Sequence, residues 1–370
     1  MKIALFLPNL YGGGSERVMV KLANALAKRG MKVDLVLGEA KGQFLSSVDD
    51  EVNIIDLAKR RISRTLWPLI CYLWRERPLV MISSLGHANI VAIVARYLSF
   101  NRVRSIALVQ NVYSRASCDY GGLRVRILSV AIKWLYPLAD AIVADSQGSA
   151  EDIIRCGGIP RNLVRCIYNP VIDSTMMALA KKPVSHVFFE PGAPPVVLGA
   201  GTLFPVKDFP TLIKAYHSVQ KKHPCNLIIL GEGPDRNRLE QLIEELGIKG
   251  KVSLPGFSDN PYGYMARTAV FVVSSVRESM SLVLVEAISL GATAVASNCD
   301  YGPREILQNG KFGRLVPVGD VAAMANAIEL ALIEPRRQIP EEVLLPFTVN
   351  GSVDKYVSLI SELIDSRVRA

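Results

Sequence analysis

Two carboxylates eight positions apart, Glu278 and Glu286, flank the start of a predicted helix. The strand before them ends near Ser274, and a helix opened by small polar residues such as Ser281 runs to about Leu290. A helix that follows a strand presents free backbone N–H groups and a partial positive charge, which favour a bound phosphate. The spacing is compatible with one carboxylate facing a sugar and the other a ribose, on either side of a diphosphate.

The alternative for this glutamate pair is two solvated side chains on an amphipathic helix. The residues around Glu286 argue against it, since Leu284, Val285, Ala287 and Ile288 are all apolar. A carboxylate without a partner would be costly in such surroundings.

The stretch E-S-M-S-L-V-L-V-E-A at 278–287 resembles the retaining glycosyltransferases of family 4, whose pattern is Glu, seven residues, Glu. Further family-like segments follow the expected order along the chain, and they are Y-G-G-G-S-E-R at 11–17, I-Y-N-P at 167–170, L-F-P-V-K-D-F at 203–209, G-E-G-P-D-R at 231–236, L-P-G-F at 254–257, G-P-R-E-I-L at 302–307 and L-V-P-V-G-D at 315–320. Each segment is weak alone, but their order makes the resemblance specific to the family, though not to a substrate.

The resemblance implies the α/β fold called GT-B, with two Rossmann-like domains and an interdomain cleft. The alternation of predicted strands and helices along the 370 residues is independently typical of α/β architecture. We place an acceptor-binding domain at residues 1–171, completed by a C-terminal helix at about 349–370. A nucleotide-sugar-binding domain then covers residues 172–348.

Family likeness also implies the donor-binding residues. Glu286 is expected to bind the ribose hydroxyls, Glu278 to lie beside the donor sugar, and Lys207 to neutralise the diphosphate leaving group without a metal. Ser281 and Leu282 are placed to offer backbone N–H groups to the phosphates. The remaining donor-binding candidates are glycine-rich or backbone positions: Gly13, Gly14, Gly256 and Phe257.

One donor-site position departs from the family pattern. Relatives usually carry an arginine five positions before the lysine, and this chain has Thr202 there. The expected diphosphate clamp therefore lacks one cation, although the Thr202 hydroxyl can still donate a hydrogen bond. Either another basic residue substitutes, or the donor is held more weakly, or the chain is a poor catalyst.

Candidates for the acceptor side follow strands of the first domain. Gln110 and Asn111 end the strand at 105–109, at the carboxyl edge where α/β sites gather. His87 begins the helix after the strand at 79–83, and a structural histidine is an equally good interpretation of it. Arg115 is a candidate for an acceptor phosphate.

The basic residues are concentrated in the first domain. Residues 1–170 hold 23 Lys and Arg against 13 Asp and Glu, and residues 171–370 hold 20 against 21. Basic residues between 59 and 77 bracket an apolar segment containing Trp67 and Trp74, which favours an anionic membrane surface over nucleic acid as a partner. An ordinary core helix with solvated ends is the alternative for this segment.

These observations predict a metal-independent hexosyltransferase without a cofactor, which moves a hexose or N-acetylhexosamine from a nucleotide sugar, favouring UDP. We expect a glycan or polyprenyl-diphosphate-linked acceptor and a cytoplasmic location, peripheral on the membrane. One alternative is a catalytically weak sugar-nucleotide-binding protein. Another is a Rossmann-type oxidoreductase, although the segment at 12–17 lacks the third glycine of a dinucleotide fingerprint.

Overall fold

The computed structural model describes residues 1–11, 13–114, 130–336 and 338–368. The chain forms two compact units, of which the first comprises Met1–Pro170 with Pro346–Ala370 and the second Val171–Leu345. Arg115, one of the acceptor-side candidates, lies outside the described residues.

The first unit is built on a parallel sheet with the strand order β3-β2-β1-β4-β5-β6-β7. Its central strands are nearly continuous apolar runs, because a parallel sheet covered by helices is buried on both faces. The strands are β1 (Lys2–Leu7), β2 (Lys32–Leu37), β3 (Val52–Asp56), β4 (Val80–Ser84), β5 (Arg104–Val109), β6 (Ala141–Ala144) and β7 (Val164–Cys166).

The second unit repeats this arrangement with a parallel sheet in the order β10-β9-β8-β11-β12-β13. Its strands are β8 (Val196–Ala200), β9 (Asn226–Leu230), β10 (Val252–Gly256), β11 (Val270–Val273), β12 (Thr293–Ser297) and β13 (Arg314–Val316). The two sheets confirm the prediction of an α/β chain with two Rossmann-like domains.

Helices connect the strands in both units. Those of the first unit are α1 (Gly14–Lys28), α2 (Leu66–Glu76), α3 (Gly86–Leu98) and α4 (Gln147–Gly157). Those of the second unit are α5 (Ser174–Ala180), α6 (Phe209–Val219), α7 (Arg236–Glu245), α8 (Pro261–Arg267), α9 (Leu282–Ser289), α10 (Gly302–Ile306), α11 (Val321–Ile333) and α12 (Glu341–Leu344).

The last helix, α13 (Val349–Val368), belongs to the first unit. Its apolar side contributes Tyr356 and Ile360 to the same hydrophobic core as α1 and β1. Arg29, just after α1, is paired with Asp354 at 2.5 Å. The amphipathic pattern at the end of the chain is therefore satisfied by packing against the first unit.

Each sheet has a point where the strand order reverses, and this point decides where a ligand can bind. In the first sheet it lies between β1 and β4, and in the second between β8 and β11. The loops after the two neighbouring strands run in opposite directions there, which opens a crevice at the carboxyl edge. Lys207 follows β8 and Glu278 follows β11, so the second sheet brings both to its reversal point.

The segment that contains the two tryptophans packs on the core with one side only. It forms α2, whose inner side buries Leu69, Ile70 and Leu73 in a core cluster. Trp67 and Trp74 stay exposed on the outer side. The segment is thus a core-packed helix that also presents aromatic residues to solvent.

Candidate active site

Lys207 and Glu278 form an ion pair at the reversal point of the second sheet. The Lys207 Nζ lies 2.6 Å from Glu278 Oε1, and the two side chains are 22% and 11% exposed. Ser275, two positions after the end of β11, donates its hydroxyl to the same carboxylate oxygen at 2.8 Å. The sequence analysis predicted both charged residues but missed Ser275, although polar residues just after a buried strand are a usable signal.

The loops that carry this ion pair are tied together by hydrogen bonds. The Ser274 hydroxyl donates to the Lys207 carbonyl oxygen at 2.7 Å, and the Val276 N–H donates to the Val206 carbonyl oxygen at 2.8 Å. Asp208, next to Lys207, has φ 47°, a left-handed conformation that non-glycine residues adopt rarely. The surrounding structure therefore fixes the position of the lysine.

The amino end of α9 has no side-chain cap and carries a buried hydroxyl without a hydrogen-bond partner among the described residues. Ser281 is the N-cap residue, but its side chain accepts no capping hydrogen bond. Its hydroxyl oxygen is buried without a hydrogen-bond partner among the described residues, and the residue is 1% exposed. Buried polar atoms are normally paired, so an unpaired hydroxyl at a helix amino terminus indicates a place for an anionic ligand.

Glu286 is the fifth residue of α9, which begins at Leu282, so it lies just over one turn into the helix. The residue is 1% exposed, and its helix neighbours Leu284, Val285, Ala287 and Ile288 are buried as well. The carboxylate is therefore an internal group of the second unit, which excludes the interpretation as a solvated surface glutamate.

Three glycines line the carboxyl edge of β8, β9 and β10. Gly201, Gly231 and Gly256 have φ values of 154°, 136° and 91°, which favour glycine. A Cβ on Gly231 would lie 1.9 Å from the Gly201 carbonyl oxygen, so this edge has no room for side chains there. Phe257 follows Gly256 and is exposed, as expected of a residue that could contact a ligand.

Thr202 follows Gly201 at this edge and is exposed. The preceding Gly201 packs against the aliphatic part of Lys207, since a Cβ there would lie 3.4 Å from the lysine Cε. The position at which the family resemblance predicts an arginine therefore directly follows a glycine that packs on Lys207. The threonine at that position carries no positive charge.

Gly13 and Gly14 begin the helix after β1 in the first unit. Gly13 is the N-cap of α1 with φ −81°, so its backbone conformation does not require glycine. Its lack of a side chain instead makes room for Glu16, whose Oε2 would lie 2.2 Å from a Cβ. Burial raises the pKa of Glu16. Sequence reasoning missed this carboxylate, which the motif Gly-Gly-Gly-Ser-Glu places in the first helical turn.

His87 occupies the first turn of α3, directly after the reversal point of the first sheet. The residue is exposed, yet desolvation by the surrounding protein lowers its pKa. Leu85, which precedes the helix, has φ 78°, a strained conformation for a branched side chain. A neutral imidazole is the form that this position favours at neutral pH.

Gln110 is part of a polar chain at the same edge. Its side-chain oxygen accepts from the Ser84 hydroxyl at 2.9 Å, and its amide nitrogen donates to Asn169 Oδ1 at 3.0 Å. The side chain is therefore held between β4 and the segment after β7. Asn111 is exposed next to it and is the more accessible of the two predicted amides.

The predicted residues thus separate into two sets. The donor-side set in the second unit contains a cation, two carboxylates, an unsatisfied helix amino terminus and a glycine-lined edge. Gly13, Gly14, His87, Gln110 and Asn111 belong to the first unit. Within the described residues, no group of three or more His, Cys, Asp or Glu side chains is arranged to hold a metal ion.

Two family sequence models match the chain in tandem. The model described as Glycosyltransferase Family 4 matches residues 12–174, and the model described as Glycosyl transferases group 1 matches residues 183–342. The chain therefore belongs to the family 4 glycosyltransferases, it is an enzyme of the glycosyltransferase class, and its two parallel-sheet units constitute a GT-B fold.

Two curated relatives resemble the chain over nearly its whole length. An N-acetylgalactosamine-N,N'-diacetylbacillosaminyl-diphospho-undecaprenol 4-alpha-N-acetylgalactosaminyltransferase of Campylobacter jejuni is 29% identical over 343 residues, which cover 90% of each chain. The lipopolysaccharide core biosynthesis glycosyltransferase LpsE of Rhizobium meliloti is 27% identical, over 94% of this chain and 96% of its own.

A solved structure supports the fold. The crystal structure of HepE from Anabaena in complex with UDP and glucose superimposes with a TM-score of 0.79 at 21% identity, and the match covers 98% of this chain and 99% of HepE. At this identity the likeness establishes the architecture alone.

Proposed function

We propose that the chain is a retaining glycosyltransferase that moves a hexose or N-acetylhexosamine from a UDP-sugar to a glycan carried on a lipid diphosphate. The Campylobacter relative is named for transfer to a diphospho-undecaprenol-linked sugar, and HepE binds UDP and glucose. Both names support this choice of donor and acceptor.

The observation that carries the proposal is the arrangement at the reversal point of the second sheet. Lys207, the free amino end of α9 and the buried Ser281 hydroxyl together form a site for a diphosphate. Lys207 neutralises the charge that develops on the leaving UDP, which is a transition-state interaction and raises turnover.

Lys207 and Glu278 are paired in the ligand-free chain, so donor binding has to rearrange them. The diphosphate takes over the ammonium group of Lys207, and the Glu278 carboxylate, still hydrogen-bonded to Ser275, turns to the sugar hydroxyls. Glu286 binds the ribose hydroxyls, and the nucleotide base lies along the glycine-lined edge at Gly256 and Phe257.

The first unit supplies the acceptor side of the reaction in this proposal. His87 and Asn111 are exposed polar residues at its carboxyl edge, and Gln110 fixes that edge through Ser84 and Asn169. The acceptor hydroxyl attacks the anomeric carbon on the face from which UDP departs. Its proton passes to the departing phosphate oxygen, the new glycosidic bond forms as the sugar–phosphate bond breaks, and the configuration is retained.

We also propose that no metal ion is required, because Lys207 and the α9 amino end supply the positive charge that a metal would otherwise provide. Transfer should therefore persist after exhaustive treatment with a chelator. Complete loss of activity that Mg²⁺ or Mn²⁺ restores would contradict this part of the proposal.

The test of the function is a donor screen with two readouts. Thermal stability is measured with UDP, GDP and their common sugar conjugates, since a ligand that binds the native state raises its stability. Sugar transfer to lipid-linked saccharides is measured with the same donors. We expect UDP to stabilise the chain and one UDP-sugar to be transferred with the anomeric configuration retained.

A catalytically weak sugar-nucleotide-binding protein is the second candidate, and Thr202 is the observation that favours it. Its test is Thr202→Arg, with Phe204→Arg as a control at a neighbouring exposed position. If the wild type binds UDP-sugars but only hydrolyses them slowly, the binding protein is the correct description. If the wild type transfers sugar and Thr202→Arg changes turnover only a few-fold, the enzyme is complete without a second arginine.

The proposed acceptor places the enzyme on the cytoplasmic face of a membrane. In the described residues, no helix combines the length and hydropathy needed to cross a bilayer. The basic excess of the first unit supports reversible attachment to anionic lipids, at roughly 1 kcal/mol for each basic residue close to the surface. Replacing Lys59, Arg60, Arg61 and Arg64 with Ser should weaken sedimentation with anionic vesicles at low salt.

A further inference from the structure

The outer side of α2 presents two large aromatic residues to solvent. Trp67 and Trp74 lie seven positions apart, on one helix side, and are 64% and 43% exposed. Their rings meet edge to face with centroids 5.7 Å apart. Cys71 lies between them on the same exposed side.

The turn after α3 extends this aromatic surface. The Trp74 Nε1–H donates to the Ser99 carbonyl oxygen at 2.7 Å, and Asn101 Nδ2 donates to the Leu73 carbonyl oxygen at 2.8 Å. These two bonds join α2 to the turn. We call the exposed apolar residues of both elements the aromatic patch, and they are Trp67, Trp74, Tyr97, Leu98 and Phe100.

Phe100 is the most exposed member of the aromatic patch. It is 90% exposed and has φ 51°, and its N–H donates to the Tyr97 carbonyl oxygen at 3.1 Å. A left-handed backbone is unfavourable for a bulky residue, and Gly or Asn would adopt it more readily. The turn therefore holds an aromatic ring in water where a smaller polar residue would suit the backbone better.

The charges around the aromatic patch are mostly positive. Arg64, Arg75, Arg77 and Arg102 are all exposed. Residues 59–77 contain six basic residues and a single acidic one, Glu76, which is paired with Lys2 at 2.5 Å and with Arg75 at 2.8 Å. Exposed aromatic rings within a cationic rim fit an interface of acyl chains and anionic headgroups.

We infer that the aromatic patch is the surface by which the chain docks on a bilayer containing anionic lipids, with the rings of Trp67, Trp74 and Phe100 entering the headgroup region. This inference rests on the proposed function, because a lipid-linked acceptor has to be reached at the membrane. It adds an apolar anchor to the electrostatic attraction.

The variant that tests the anchor is Phe100→Asn. Asn tolerates the left-handed backbone, so the chain should fold with unchanged or higher thermal stability. Binding to vesicles of phosphatidylglycerol and phosphatidylcholine should fall on the order of tenfold, as expected for losing the burial of one aromatic side chain. Ile333→Asn, at a 61% exposed position of the second unit, is the matched control and should bind like the wild type.

A fluorescence measurement locates the docked surface. An environment-sensitive fluorophore is attached to Cys71 in a Cys118→Ser, Cys156→Ser variant, or to Cys156 in a Cys71→Ser, Cys118→Ser variant. Vesicles should shift the emission of the Cys71 probe to the blue and leave the Cys156 probe, on α4, unchanged.

Equal vesicle binding by wild type and Phe100→Asn, or equal shifts of both probes, would overturn the inference. Failure of wild type to bind anionic vesicles at low salt would overturn it as well. UDP-induced thermal stabilisation and transfer to a water-soluble acceptor do not involve the patch. They should be unchanged in Phe100→Asn, so a failed docking surface and a failed enzymatic function are distinguished.

Discussion

The Lys207–Glu278 ion pair allows structural and catalytic contributions to be separated by a double-mutant cycle with Lys207→Met and Glu278→Gln. The pair is short and less than a quarter exposed on either side, so it lies between a surface ion pair and a fully buried one. A hydrogen bond between charged groups contributes about 1.5–3 kcal/mol. We expect a coupling free energy of that size in the unfolding of the second unit, measured by urea titration.

The single variant Lys207→Met should be the less stable of the two, because Ser275 is then the one side-chain partner of Glu278 that remains among the described residues. The double variant should lose less stability than the two single variants lose together, and the difference is the coupling free energy. Its sugar transfer should stay as low as that of Lys207→Met. Lys249 and Glu244, 3.7 Å apart and largely exposed, are the control pair and should show no measurable coupling. A cycle without coupling would refute the geometry, and a double variant that recovers turnover would refute the catalytic role of Lys207.

Three further predictions address other parts of the chain. Glu286→Gln should weaken UDP binding roughly tenfold to a hundredfold, because charged hydrogen bonds to the ribose are lost. The affinity is measured by calorimetry, with the exposed Glu341→Gln as the control. Equal affinities of the two variants would contradict the assignment of Glu286. Glu16→Gln should stabilise the chain increasingly as pH rises above 4.5. The pKa of Glu16 is raised in the folded chain, so the wild type loses stability as this carboxyl ionises. Parallel curves of unfolding free energy against pH for wild type and variant would contradict this. His87→Asn should reduce the loss of stability below pH 6.5, since the lowered pKa of His87 disfavours the protonated ring in the folded chain. If the variant loses as much stability below pH 6.5 as the wild type, other groups are responsible.

Much of the fold could be predicted because buried parallel strands are apolar along their whole length. The strands predicted at 79–83 and 105–109 agree within one residue with β4 and β5. Strand β3 could not be recognised in the same way. It is an edge strand with exposed residues such as Asn53 and Ile54, so neither a continuous apolar run nor a regular alternation marks it.

The candidate site could be predicted where a motif fixed both residue type and place. Lys207, Glu278 and Glu286 lie on elements that the strand–helix pattern locates, and the family resemblance supplied their roles. The contacts between Lys207 and Glu278, and between Gln110 and Asn169, join residues 71 and 59 positions apart and depend on tertiary packing. The exposure of Phe100 could not be predicted from the sequence, because it depends on the backbone conformation of a single turn.

The most direct test of the enzymatic function is a transfer assay with purified chain, UDP-sugars and lipid-diphosphate-linked saccharides, followed by mass spectrometry and NMR of the product. We predict extension of the acceptor by one hexose or N-acetylhexosamine, with the anomeric configuration of the donor retained and with the activity lost in Glu286→Gln and Lys207→Met. No extension with any UDP-sugar, or a product of inverted configuration, would contradict the function proposed for this chain.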